Sequence, residues 1–93
     1  MTEAAFKSKT RTLAITVMKI AENWPRGRCA DHISRQVLRC ASSVAANYRA
    51  ACRGRSRAEM AAKLGIVEEE ADETLFWLDL AKEFNLGPLD QLC

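Results

Sequence analysis

Four cysteines (Cys29, Cys40, Cys52, Cys93), the single histidine His32 and the acidic run Glu68-Glu69-Glu70-Ala71-Asp72-Glu73 are the side chains with which this chain could do chemistry. The cysteines stand 11, 12 and 41 residues apart. A structural zinc site needs close ligand pairs, and one histidine cannot complete several of them. A di-metal bundle site needs carboxylates from several helices and Glu-x-x-His pairs, but the acids here fall on one predicted helix. Cys40, Cys52, Ser42 and Ser43 have no histidine at their own level to act as base. Cys40 lies on an apolar helical stripe, where cysteine packs as a small hydrophobe, and in a reducing compartment such thiols stay free. The expectation is a protein that is not an enzyme, with no catalytic residue, metal or cofactor.

Charge is the stronger signal. The formal net charge of +2 conceals two unlike halves. Residues 1–57 carry twelve Lys and Arg against Glu3, Glu22 and Asp31, a net of +9. Residues 58–93 carry Lys63 and Lys82 against nine carboxylates, a net of −7. Either the halves neutralise each other inside the fold, or one end is left basic for a polyanion.

The elements that must place these charges are helical. At 93 residues and 10.4 kDa, with 48% apolar and 28% charged residues, the chain suits one soluble domain over residues 1–93. No apolar run approaches the ~18 residues of a membrane span. The start, Met1 to Lys7, lacks the basic-then-apolar order of a secretory signal, so a cytoplasmic protein is expected.

Apolar residues recur in threes and fours, and no segment alternates with period two. Phe6, Leu13, Val17, Ile20 and Trp24, with Thr10 as polar member, predict a helix over 4–23, stopped at Trp24-Pro25-Arg26-Gly27. A second helix is expected over 31–53, with Asp31 as cap or first-turn anion. Its stripe Ile33, Val37, Cys40, Val44 and Ala51 adjoins another, Leu38, Ala41, Ala45, Tyr48 and Cys52, so it should pack on two neighbours. Gly54 suits the left-handed position that ends a helix. Ser56-Arg57-Ala58-Glu59 is a capping box, which starts a third helix over 57–85. Met60, Leu64, Val67, Ala71, Leu75 and Leu78 should line its inner face. The last residues, Leu89 to Cys93, suffice only for a short or vestigial fourth helix.

This inventory leaves apolar surface without an internal partner, and monomers seldom expose large patches. Self-association is expected through Leu38, Tyr48, Phe76, Trp77, Leu80 and Phe84, with the tryptophans read as core or interface packing.

Three segments carry a resemblance. They are Gln36-x-x-Arg39-x-Ala41-x-Ser43-Val44-x-x-Asn47, then Arg55-Ser56-x-x-Glu59, then the acidic run at 68–73. Over roughly residues 6–84 the chain resembles the small bacterial four helix bundle proteins, first noticed as products of intervening sequences in large-subunit ribosomal RNA genes. The accessory variability determinant proteins of diversity-generating retroelements look related to them. The resemblance implies an all-α, antiparallel up-down bundle without catalytic residues, often assembled as a pentamer. It also implies partners of two kinds: RNA or DNA, and a reverse transcriptase or other nucleic-acid enzyme. Where many members read Asn-Ile-Ala-Glu-Gly, this chain has Asn47-Tyr48-Arg49-Ala50-Ala51.

In an antiparallel hairpin turning near residues 54–55, opposed positions sum to about 109. Arg35 and Arg39 then meet the carboxylates of the third helix. Up-down topology gathers Lys7, Lys9, Arg11, Arg49, Arg53, Arg55 and Arg57 at one pole, close to few acids. With no aromatic interleaved among them, the pole should bind nucleic acid without sequence preference, as an accessory protein steering another onto it. The rival expectation is a protein–protein scaffold, with the apolar end and the acidic face docking a partner.

Overall fold

The computed structural model describes residues 2–87, in three helices: α1 (Glu3–Glu22), α2 (Arg28–Ala51) and α3 (Arg57–Glu83). No strand occurs among the described residues. The chain forms the all-α helical bundle expected of it, with a long dimension of 44 Å, about the length of α3 at ~1.5 Å per residue. The expected fourth helix lies outside the described residues.

Each helix begins as its local chemistry directs. Thr2 caps α1 by accepting from the Ala5 amide at 3.0 Å. Ser56 caps α3 by accepting from the Glu59 amide at 3.1 Å. The second helix starts three residues before the expected position. Gly27 is its cap, without a side-chain hydrogen bond, and Asp31 donates its amide to the Gly27 carbonyl at 2.7 Å from within the first turn. Asp31 instead anchors the turn from α1 by gripping Arg26 at 2.9 Å and 3.1 Å. Helix α2 ends at Ala51 and α3 at Glu83, each two residues earlier than expected.

Gly54 does not take the left-handed conformation assigned to it. Among glycines, positive φ is found at Gly87. At Gly54 the need is for space: a Cβ there would lie 3.1 Å from the Met60 nitrogen and 3.2 Å from the Ala51 carbonyl oxygen. The turn packs backbone on backbone, and that is why it is small.

Helix α2 is central and contacts both of the others extensively. Val37 and Cys40 are fully buried, and Val17, Ala21, Trp24, Ile33, Ala41, Leu78 and Ala81 complete the core. Two buried hydroxyls are satisfied within their own helices: Thr10 donates to the Lys7 carbonyl at 3.0 Å and Thr74 to the Glu70 carbonyl at 2.8 Å. Register follows the expected arithmetic. Arg39 meets Glu70 at 3.2 Å, and the ring of His32 lies 5.3 Å from that of Trp77, both pairs summing to 109.

The inner face of α3 departs from expectation. Thr74, Leu78 and Ala81 are buried, with Val67 and Ala71 half-buried. Met60, Leu64 and Leu75, expected on the same inner stripe, are exposed, Leu75 by 66%. On α1, Phe6 and Leu13 are exposed as well. With α2 on one side only, the flanks of α1 and α3 have no neighbour to cover them.

Candidate nucleic-acid interface

Short loops at residues 23–27 and 52–56 return the chain on itself, so the start of α1, the end of α2 and the start of α3 converge. Their cations line two grooves. One, of about 390 Å³, is walled by Lys7 and Arg11 of α1, by Arg49 of α2 and by Arg53 of the turn that follows it, over Ala45 and Ala46. The other, of about 320 Å³, is lined by Ala46, Arg49, Ala50 and Arg53 together with Arg55, Glu59 and Lys63. Arg49 and Arg53, one helical turn apart, form the ridge common to both. The floor is alanine because the stretch Ala41 to Ala51 is dominated by small residues, which keeps the long cationic side chains raised above it.

Five of the seven sequence-predicted cations line a groove: Lys7, Arg11, Arg49, Arg53 and Arg55. Lys9 and Arg57 are exposed but line neither. Lys63 was missed, although the sum of 109 that sets the hairpin register places it opposite Ala46. Glu59 is the one carboxylate in the lining of either groove. Among the described residues the ion pairs are Arg26 with Asp31, and Arg39 with Glu70 and Glu73. None of the groove cations belongs to such a pair.

Arg39 shows the other outcome open to an arginine on this face. Its Nη1 reaches Glu70 at 3.2 Å and its Nη2 reaches Glu73 at 2.7 Å, while Gln36 accepts at 3.3 Å and 3.1 Å. Burial acts to raise the Glu73 carboxyl, but hydrogen bonds from Cys40, Trp77 and Arg39 outweigh it and hold the group below its usual range. Arg35, expected to pair in the same way, forms no ion pair with a described residue. One turn toward the start of α2, it faces the Glu73–Thr74 level, where Arg39 already holds the carboxylate. Among the described residues the acidic helix therefore neutralises Arg39 alone, leaving Arg35 before it and the groove cations beyond it.

Cys40, Glu70 and Glu73 bring a thiol and two carboxylates within 4.8 Å of one another. Burial pushes the Cys40 thiol up to about 12, and the Arg39 guanidinium already sits 3.1 Å from its sulfur. With its guanidinium on the thiol and on both carboxylates, Arg39 makes this cluster an ion-pair junction.

The residues expected to cover a partner divide. Phe76 and Trp77 meet edge to face at 5.1 Å, His32 closes on Trp77 at 80°, and Phe84 is exposed on the same helix. Leu80 and Leu38 are half-buried and pack against the core. Tyr48 lies with Phe6, ring centroids 4.6 Å apart. The tyrosine thus belongs to the α1–α2 seam and is separate from the aromatic end.

Comparison with known families agrees with this architecture. The family model of the 23S rRNA-intervening sequence protein matches residues 3–92. The chain belongs to that family. The match takes in all three helices and both grooves, so the basic pole lies within the family's own domain. No curated protein and no solved structure matches the chain.

Proposed function

We propose that this member of the 23S rRNA-intervening sequence protein family is a non-enzymatic, self-associating helical protein that binds nucleic acid without sequence preference through its basic pole. The observation that carries the reading is the pair of grooves sharing Arg49 and Arg53, lined by six cations and one carboxylate. Cations not neutralised by the protein's own acids are available to phosphates, and each phosphate they neutralise releases counterions. Neither lining contains an aromatic ring on which a base could be held and read. Binding through such a surface places a second protein on nucleic acid without choosing the site, which suits an accessory role.

Salt titration of binding to a short RNA or DNA tests the proposal. Affinity should fall steeply as salt rises, and the double variant Arg49→Gln/Arg53→Gln should flatten the slope by about 2. The loss should be the same for unrelated sequences. Absence of binding at low salt removes the nucleic-acid role. The protein-scaffold reading would then stand on the exposed Phe76 and Phe84 and the acidic face of α3.

A further inference from the structure

We infer that the basic pole receives a double helix and not a single strand, a conclusion that rests on the nucleic-acid reading above and narrows it. Three features of the two grooves lead there. First, there are two of them, side by side, with α2 between. A single strand can follow one groove, facing Lys7, Arg11, Arg49 and Arg53. Filling the second groove, with Arg55 and Lys63, takes a second backbone held at a fixed distance from the first. A duplex supplies two such backbones already joined.

Second, the grooves have no aromatic ring on which an unpaired base could stack. Single-strand binders combine a cationic track with aromatic platforms, because stacking compensates the ordering of a flexible strand. Here the floor is Ala45, Ala46 and Ala50. The tyrosine nearest in sequence, Tyr48, is half-buried against Phe6. The other aromatic cluster, Phe76 with Trp77, packs near His32 at the far end of α2. An unpaired base reaching this pole meets alanine methyls and charged side chains, without an aromatic ring among them.

Third, cation spacing suits a rigid, densely charged partner. Lys7 and Arg11 are four residues apart on α1, about 6 Å along the helix, and Arg49 on α2 is followed by Arg53 in the turn just past its end. The first is a short, fixed row on a helix, and the second continues from a helix into a tight turn. A duplex presents one charge per ~1.7 Å of axis, so it meets both rows without being reorganised, whereas a single strand must be ordered to do so.

Equilibrium binding of the full chain decides the matter. The probes are a 20-nucleotide strand of mixed sequence, its complement and their duplex, each prepared as DNA and as RNA. The duplex should bind at least tenfold more tightly than either strand at equal salt. Its salt slope should be near −5 per protein subunit bound, from six cations at ~0.9 each, against about −3 for a strand in one groove at ~0.7 each. Lys7→Gln and Lys63→Gln, each in one groove only, should both weaken duplex binding, whereas only one of them should weaken strand binding. Strands binding as well as the duplex, or both substitutions weakening strands as much as the duplex, would overturn the inference while leaving the proposed function intact. Failure of every probe at low salt would overturn the proposed function itself. A preference confined to RNA or to DNA duplexes still supports the inference and identifies which helical form the grooves fit.

Discussion

Arg39 on α2 and Arg53 in the turn just past its end continue one stripe and meet opposite fates, decided by what faces them. Arg39 is held by Glu70, Glu73 and Gln36, while Arg53 stands above alanine. Because Glu73 is held below the usual carboxylate range, it contributes stability that is present above the unfolded carboxylate pKa, ~4.3. That contribution is lost as pH falls through the lower folded value. Arg39→Ala should therefore lower the urea midpoint at pH 7 and bring it closer to the wild-type midpoint as pH drops below about 4. Parallel midpoint curves for the two proteins across that range would show that Arg39 does not set the Glu73 carboxyl. That both arginines share a stripe was legible from the helical spacing of Arg35, Arg39, Ser42, Ala46, Arg49 and Arg53. The register expected against α3 already set Arg39, and not Arg53, opposite Glu70.

At the scale of the element, the capping chemistry was the most readable feature. Ser56 and Glu59 announce the start of α3 in four residues, and Ser56 bonds to the Glu59 amide as expected. Ser56→Ala should cost about 1 kcal/mol of stability, measured by chemical denaturation, with Ser56→Asp largely preserving the wild-type value. Equal losses for both variants would mean that the cap contributes little. The start of α2 was less legible, because Gly27 supplies no side-chain signal and Asp31 suited both a cap and a first-turn anion, the place it takes. An anion in the first turn serves the helix nearly as well from either position, so composition alone does not separate them. The inner stripe of α3 was misread for another reason. Helical periodicity identifies which residues share a face, but one neighbouring helix covers only part of a broad apolar face.

For the whole molecule, the same uncovered flank motivates self-association. Leu75, Phe76 and Phe84 are each more than half exposed, more apolar surface in one region than a monomer usually leaves in water. Light scattering at micromolar concentration should give a mass above that of one chain, and Leu75→Glu with Phe76→Glu should return it to a monomer of unchanged helicity. A wild-type monomer would refute the self-association proposed here. If copies do assemble, each adds its own pair of cationic grooves, and affinity for a long duplex rises through multivalency without any new contact.

Periodicity, caps and the split of charge along the chain were enough to establish three helices, the all-α class and the segments that would be basic. These depend on neighbours within a few turns, and local sequence contains them. The tertiary structure alone decided that Arg35 forms no ion pair with a described residue while Arg39 takes both Glu70 and Glu73, that Lys63 joins the grooves while Lys9 and Arg57 line neither, and that Leu75 points to solvent. Each of those outcomes turns on which side chains from distant segments arrive at the same level. The rotation of one helix against another sets that level, and it follows from the packing of the whole core.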